Sequence, residues 1–365
     1  MGSVAAYELI FRAFAFVLGA AIGSFLNVCI YRLPRGLSVN EPRRSFCPAC
    51  KTPIPWYQNL PLLSWLWLRG KCANCGSCIA FRYFVVELLT ALLFLAIAIV
   101  FPSPVALAYW VFVSLLIVGT FIDFEHFIIP DEITIGGTIA GVIASCALPA
   151  LMNERSLLRA GLWSLGSAVF GYALLWLVLE GGKKAFGKKL IRLKEPAAFS
   201  WVRDGNEAEF IVGDERGLWS EHFARESDLM LMHCTEATVD GRSFPNSTLQ
   251  LHYNRLMIDQ ECFQLDAVDR ITGVVRELQI PREAMGRGDL KFLAAIGAFL
   301  GWRAVLCSIF AGSLVGSVVG LTSMGLGKRA WSAKIPFGPY LALGAIIWMF
   351  FGARLTAWYI GLLAP

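Results

Sequence analysis

The sequence has few charged residues and lacks the signatures of several common enzyme classes. Only 16% of its 365 residues are Asp, Glu, Lys or Arg, whereas 56% are hydrophobic, and the mean hydropathy is +0.59. This composition argues against a soluble globular protein, because several apolar runs approach the ~20 residues that cross a bilayer. Gly327-Lys328 lacks the paired glycine and the Ser or Thr of a Walker A string. The first apolar run lacks a preceding basic segment, so we expect no cleavable signal peptide.

The apolar runs predict an all-α polytopic membrane protein with about eight transmembrane helices. The predicted spans are residues 5–31, 82–101, 105–123, 133–151, 157–181, 290–301, 303–323 and 338–361. The sixth span is short, so we expect a tilted, broken or re-entrant helix there. An even number of spans places both termini on the same side of the membrane.

Basic residues cluster in three of the connecting segments and predict the orientation. They follow the first span (Arg32, Arg35, Arg43, Arg44, Lys51, Arg69, Lys71), the fifth (Lys183, Lys184, Lys188, Lys189, Arg192, Lys194) and the seventh (Lys328, Arg329, Lys334). Because positively charged loops stay in the cytoplasm, we expect all three segments to be cytoplasmic and both termini to lie outside.

These features divide the chain into five predicted segments. They are the first transmembrane helix (1–31), a cytoplasmic tetracysteine zinc-binding loop (32–81), helices two to five (82–184), a cytoplasmic insert (185–280) and helices six to eight (281–365). The insert is predicted to be small and mostly β, because short strand-like runs alternate with turn signals. The runs are Glu209–Val212, Leu229–Met232 and Thr248–Leu251, and the turn signals are Asp204-Gly205-Asn206 and Asp240-Gly241.

The first basic loop contains two C-x-x-C pairs about twenty residues apart. The pairs are Cys47 with Cys50 and Cys72 with Cys75. Each pair can form a knuckle that directs two thiolates at one ion, and two knuckles make a tetrahedral site that suits Zn²⁺. A reduced cytosolic location makes disulfides the weaker interpretation. Two thiol pairs without metal are the other alternative, and Cys78 follows at a spacing that also allows it to be a ligand.

Two aspartates stand at the edges of apolar runs, where a carboxylate is costly and often functional. Asp123 ends the third predicted span, and Asp289 follows Gly286-Arg287-Gly288 at the start of the sixth. The predicted topology puts both on the cytoplasmic side, which suggests a dyad. Asp131 shares a short loop with Asp123, so spacing alone leaves it as an alternative partner, although Pro130-Asp131 looks more like a helix start capped by Asp131.

The chain resembles bacterial type IV prepilin peptidases, which are leader peptidases and N-methyltransferases in the GxGD class of intramembrane aspartyl proteases. The resemblance rests on an ordered set of strings that covers nearly the whole membrane part. They are Gly23-Ser24-Phe25-Leu26-Asn27-Val28, Tyr31-Arg32-Leu33-Pro34, the C-x-x-C pairs, Trp56-Tyr57-Gln58-Asn59, Glu87-Leu88-Leu89-Thr90-Ala91, Asp123 through Asp131, Arg282 through Asp289, and Ile335-Pro336-Phe337-Gly338-Pro339.

The resemblance implies that Asp123 and Asp289 are the catalytic residues. One carboxylate would activate water while the other, protonated, donates to the carbonyl or leaving amine. It implies a multi-pass enzyme of the bacterial inner membrane whose active site faces the cytoplasm. The implied substrates are prepilins, or pseudopilins of type II secretion, which carry a short basic leader before an apolar helix. Membrane lipid is the other expected partner, and nucleic acid is not expected.

The resemblance also implies N-methylation of the new N-terminus with S-adenosylmethionine. No glycine-rich strand–turn–helix unit for that cofactor is present, so the cysteine loop and Glu87 are candidates for this role or for substrate docking. Two features depart from the family pattern: Arg287 stands in the middle of the GxGD string, and the insert has no recognised counterpart. Glu125 and His126 are expected to be bystanders. The alternative functions are a transporter that uses the carboxylate pair and an inactive scaffold that binds pilin precursors.

Overall fold

The computed structural model describes residues 2–42, 45–186, 188–204, 207–213, 215–219, 229–258, 261–281, 286–325 and 336–363. The chain forms two compact units, one of Met1–Trp176 with Gly286–Pro365 and the other of Leu177–Met285. Several residues used above lie outside the described part: Arg43, Arg44, Gly205, Asn206, Arg282–Met285, Lys328, Arg329, Lys334 and Ile335.

The described residues of the first unit are mainly helical. The helices among the described residues are α1 (Gly2–Arg32), α2 (Leu63–Trp67), α3 (Arg82–Val100), α4 (Ser103–His126), α5 (Asp131–Ala147), α6 (Leu157–Phe186), α7 (Arg287–Leu300), α8 (Trp302–Gly325) and α9 (Gly338–Leu363). Within the described residues, six segments are long and apolar enough to cross a membrane: Tyr7–Arg35, Arg82–Val100, Ser103–His126, Leu157–Gly182, Trp302–Ser323 and Gly338–Leu362. This agrees with the predicted polytopic membrane protein.

Two of the eight predicted spans correspond to shorter helices, so the count of eight stays a prediction. Helix α5 has 17 residues and ends at Ala147, whereas the predicted span continued to residue 151. The predicted end is wrong because Pro149, two residues further on, starts a separate 3₁₀ turn. Helix α7 has 14 residues, as the short sixth span suggested.

Helix α7 is enclosed by other helices, and small residues permit the close contacts. A Cβ added to Gly141 of α5 would lie 2.7 Å from the Cβ of Ala298, and one added to Gly297 would lie 2.4 Å from the carbonyl oxygen of Ser167. The Ala298 carbonyl is one of the last four of α7, which have no intrahelical partner. Ser145 and Ser164 donate their hydroxyls to it at 3.2 and 2.7 Å. These bonds allow α7 to end inside apolar surroundings.

The second unit contains an antiparallel sheet, which confirms the predicted mostly-β insert. Its strands are β1 (Lys188–Asp204), β2 (Glu207–Val212), β3 (Glu215–Leu218), β4 (Met230–Val239), β5 (Arg242–Pro245), β6 (Thr248–Leu251), β7 (Arg255–Ile258), β8 (Glu261–Gln264) and β9 (Arg270–Pro281). Among the described residues the order is β3-β2-β1-β9-β4-β6-β7-β8, with β5 beside β4. Asp240 and Gly241, at φ 45° and 88°, join β4 to β5, as the turn signal predicted.

Candidate active site

Asp123 lies in the last turn of α4, and its carboxylate reaches the start of α9. Phe127 caps the C-terminus of α4, takes a left-handed conformation and donates its N–H to the carbonyl of Asp123. The side chain of Asp123 is buried, and its Oδ2 accepts the backbone N–H of Gly338 at 3.0 Å. That N–H belongs to the first residue of α9 and has no partner within the helix. A carboxylate is a favourable partner at this positive end of the helix dipole.

Asp289 is the third residue of α7, so its carboxylate folds back over the helix N-terminus. The backbone N–H of Gly286, the residue that caps α7, hydrogen-bonds to this carboxylate. This is the position at which an acidic side chain ordinarily satisfies the cap residue. Asp289 is buried, and its Oδ1 has no hydrogen-bond partner among the described residues. The two carboxylates interact electrostatically. The structure therefore brings Asp123 and Asp289 together, with one carboxyl oxygen left open.

Two glycines hold the segment between Asp123 and α5 close to the carboxylates. A Cβ added to Gly338 would lie 2.8 Å from Asp123 Oδ2 and 2.9 Å from Ile129 Cδ1. A Cβ added to Gly288 would lie 3.2 Å from the backbone nitrogen of Ile129. Ile129 therefore packs between the N-termini of α7 and α9. The role of Gly338 was not predicted, although the glycine before Pro339 at a helix start was visible in the sequence.

Asp131, the alternative partner for Asp289, is engaged elsewhere. It accepts a hydrogen bond from the Lys291 Nζ at 2.6 Å, and its side chain is 59% exposed. The expectation that Asp131 caps α5 is wrong, because Pro130 occupies the cap position and Asp131 begins the first turn. Arg287 is exposed. Glu125 forms an ion pair with Arg82.

The four cysteines of the C-x-x-C pairs meet in the loop between α1 and α3. Their Sγ atoms all lie within 4.8 Å of one another, and Cys78 is not in this group. The Sγ atoms of Cys47 and Cys75 are 3.8 Å apart. A tetrahedral Zn²⁺ with Zn–S bonds of about 2.3 Å requires sulfur separations of about 3.8 Å. All ten cysteines of the chain are free thiols. The cluster therefore fits a zinc ion.

Hydrogen bonds around two of these sulfurs favour the thiolate, the form that binds metal. Bonds from the side chain and backbone of Thr52, and from Asn74, lower the pKa of Cys50 to about 6. The backbone N–H of Cys50 is the largest influence that lowers the pKa of Cys47. The chain reverses direction twice and so forms the two knuckles. Antiparallel β-bridges join Phe46 to Pro53 and Lys71 to Cys78 at these reversals.

A pair of interacting carboxylates at helix ends, inside a bundle of apolar helices, is the arrangement of an aspartyl peptidase embedded in a membrane. Family models agree with that class. The model of the Bacterial Peptidase A24 N-terminal domain matches residues 17–101, and that of the Type IV leader peptidase family matches residues 110–193 and 271–321. The second match leaves out residues 194–270, which fall within the insert.

Curated relatives lead to the same family. A prepilin leader peptidase/N-methyltransferase of Aeromonas hydrophila is 30% identical over 375 residues, which cover 96% of this chain and 94% of that protein. The protein of the same name from Pseudomonas aeruginosa is 26% identical over 98% of this chain and 96% of its own length. That from Myxococcus xanthus is 39% identical over 53% of this chain and 57% of its own. No solved structure matches.

The chain therefore belongs to the type IV leader peptidase family, which confirms the resemblance seen in the sequence. The transporter and scaffold alternatives gain no support from these relatives.

Proposed function

We propose that this chain is a bifunctional membrane enzyme. It removes the basic leader of type IV prepilins or of type II secretion pseudopilins, and it N-methylates the residue that cleavage exposes. The observation that carries the peptidase assignment is the interaction of the buried Asp123 and Asp289 carboxylates, with no hydrogen-bond partner for Asp289 Oδ1 among the described residues. The N-methylation is supported by the names of the relatives, which are prepilin leader peptidase/N-methyltransferases.

The catalytic roles follow from the geometry of the two carboxylates. Two neighbouring carboxylates cannot both be ionised without cost, so the pair shares one proton. The ionised member takes a proton from the attacking water, and the protonated member donates to the scissile carbonyl or leaving amine. Gly338 fixes Asp123 by its N–H, and Gly286 fixes Asp289, so neither carboxylate has to reorganise during the reaction.

The proposed membrane arrangement has eight spans, with α5 and α7 as the two short ones and the dyad at the cytoplasmic face of the bacterial inner membrane. The basic segments of the sequence support this orientation. It follows that segments 1–31, 82–184 and 281–365 form the membrane part, and that segments 32–81 and 185–280 are cytoplasmic.

We assign Cys47, Cys50, Cys72 and Cys75 as ligands of a structural zinc ion, because their sulfur separations fit Zn²⁺ and the closed set leaves no open coordination position. S-adenosylmethionine, when bound, would supply the methyl group for the amine that cleavage exposes.

Co-expression with a prepilin tests the peptidase assignment. Asp123→Ala and Asp289→Ala should each leave the full-length precursor while the protein still inserts in the membrane. Asp131→Ala is the matched control, because this neighbouring carboxylate pairs with Lys291 at the surface, and it should process normally. Normal processing in either dyad variant would refute the assignment.

A further inference from the structure

A second candidate site lies between the loop that carries the cysteines and helices α1 and α3. It is a pocket of about 420 Å³, a size in the range of small-molecule sites. Its polar and aromatic lining includes Asn27, Tyr31, Trp65, Tyr83 and Glu87, and two arginines, Arg32 and Arg82, also line it, the second paired with Glu125. Neither Asp123 nor Asp289 lines it.

The wall of the pocket is built where α1 and α3 approach most closely. A Cβ added to Gly23 would lie 2.7 Å from the Cα of Glu87, so only glycine permits this contact. Asn27 is four residues beyond Gly23, and Tyr83 is four residues before Glu87, so each pair shares one helix face. The Nδ2 of Asn27 donates to the carbonyl oxygen of Tyr83 at 3.0 Å. The polar groups of the wall are therefore held on rigid helices.

Asn27 presents an unused acceptor. The residue is only 2% exposed, and its Oδ1 has no hydrogen-bond partner among the described residues. A buried amide oxygen that lacks a donor is costly, so native structures ordinarily satisfy it. Because Asn27 lines the pocket, a ligand with an N–H group would supply the missing donor.

Glu87 presents an uncompensated carboxylate. It is buried, and no Lys, Arg or His among the described residues lies within ion-pairing distance, whereas Glu125 is neutralised by Arg82. The Oε2 of Glu87 accepts the N–H of Leu62 at 2.7 Å, and the side chain of Ser24 also hydrogen-bonds to this carboxylate. A buried carboxylate of this kind favours a cationic ligand.

The backbone at Leu62 is strained. The hydrogen bond from Leu62 to Glu87 therefore does more than pack the loop. Leu62 has φ 63° and ψ −49°, and the N–H of Leu63 bonds to the carbonyl oxygen of Pro61 at 2.7 Å. Together these describe a γ-turn with positive φ, a rare and costly conformation outside glycine. Glu87 therefore anchors a strained turn of the loop at the edge of the pocket.

Aromatic rings complete the lining. Trp65 is fixed by Phe81 and Phe84, with ring centroids 5.5 and 5.3 Å away. Gly70 lies against the Trp65 ring, where a Cβ would come within 2.9 Å. Faces of Trp and Tyr attract planar rings and cations. The pocket thus combines the acceptor of Asn27, the carboxylate of Glu87 without an ion-pair partner, and the face of Trp65. These groups suit a ligand that carries an aromatic base with an amino group and a positive charge.

We propose that this pocket binds S-adenosylmethionine, with Asn27 as an acceptor for the ligand and Glu87 as the group that compensates its sulfonium charge. The proposal rests on the proposed N-methyltransferase function and assigns it to a site separate from the dyad. The other occupant that the pocket could take, the pilin N-terminal segment, is an outcome of the test.

The test measures the binding of S-adenosylmethionine and of S-adenosylhomocysteine to purified full-length protein by calorimetry. The two ligands differ in the charge at sulfur. Asn27→Ala should weaken both by about tenfold or more, because the ligand loses one acceptor. Glu87→Gln keeps an oxygen for the Leu62 N–H but loses the charge. It should weaken S-adenosylmethionine by about tenfold and S-adenosylhomocysteine much less.

Controls separate the failure of this proposal from failure of the proposed function. Exposed Glu132→Gln and dyad variant Asp289→Asn should bind both ligands as the unaltered protein does. No binding by the unaltered protein would overturn the N-methyltransferase function and this site with it. Binding that survives both pocket variants would overturn the site alone. So would an Asn27→Ala variant whose only defect is a higher KM for prepilin, since the pocket would then hold the pilin segment.

Discussion

Gly338→Ala tests whether the backbone N–H of Gly338 orients the Asp123 carboxylate of the dyad. The added Cβ would lie 2.8 Å from Asp123 Oδ2 and 2.9 Å from Ile129 Cδ1, closer than real Cβ contacts. The carboxylate must move away from the Gly338 N–H, to which it is bonded at 3.0 Å. A hydrogen bond to a charged group is worth about 1.5–3 kcal/mol. Losing it should lower kcat by roughly 10- to 150-fold if the bond holds Asp123 in its reactive position.

The assay is the rate of prepilin cleavage by purified protein in detergent, at saturating substrate. Gly136→Ala in α5 is the matched control, because its added Cβ meets nothing within 4 Å, and it should leave the rate unchanged. Thermal unfolding of both variants shows whether overpacking has destabilised the fold, which typically costs about 1–3 kcal/mol. A folded Gly338→Ala protein that cleaves at the unaltered rate would refute the orienting role of this N–H.

Three further predictions concern the zinc cluster, the surface ion pair and the packing of α7. Cys47→Ser with Cys72→Ser should abolish zinc in metal analysis of the purified protein, and full zinc content would contradict the assigned ligands. Asp131→Asn should change the unfolding free energy by no more than about 1 kcal/mol, because its bond to Lys291 is exposed; a larger loss in denaturant unfolding would refute this. Gly297→Ala should sharply reduce the folded yield in size-exclusion chromatography, because its Cβ would lie 2.4 Å from the Ser167 carbonyl oxygen. Gly166→Ala is the control, because its Cβ would have no atom within 4 Å. Equal yields of the two variants would contradict the proposed packing.

Hydropathy and charge were sufficient to predict the helices, since a long apolar run has few alternatives to a membrane helix. They were less accurate at α5, where Pro149 ends the helix earlier than the apolar run does. In the insert, turn signals predicted the strands around Asp240-Gly241. The 17-residue β1 and its pairing with both β2 and β9 depend on contacts between distant segments, which local patterns do not encode.

At the site, the string around Asp289 and the family resemblance predicted Asp123 and Asp289 as the catalytic pair, and the structure brings the two carboxylates together. The contact of Asp123 with the N-terminus of α9 was not predictable, because it joins residues 215 positions apart. Asn27 and Glu87 both lie in strings that carry the family resemblance, and Glu87 was already a candidate for methylation or substrate docking. Only the packing of α1 on α3 shows that the two residues line one pocket.

The most direct test of the central claim is the cleavage rate of Asp123→Asn, Asp289→Asn and the double variant. If the two carboxylates act as one unit, each single change removes nearly all catalysis, and the double variant is no slower than the slower single one. The account predicts this non-additive result, with all three proteins folded. Independent effects that multiply in the double variant, or substantial cleavage by either single variant, would contradict the claim that Asp123 and Asp289 form one catalytic pair.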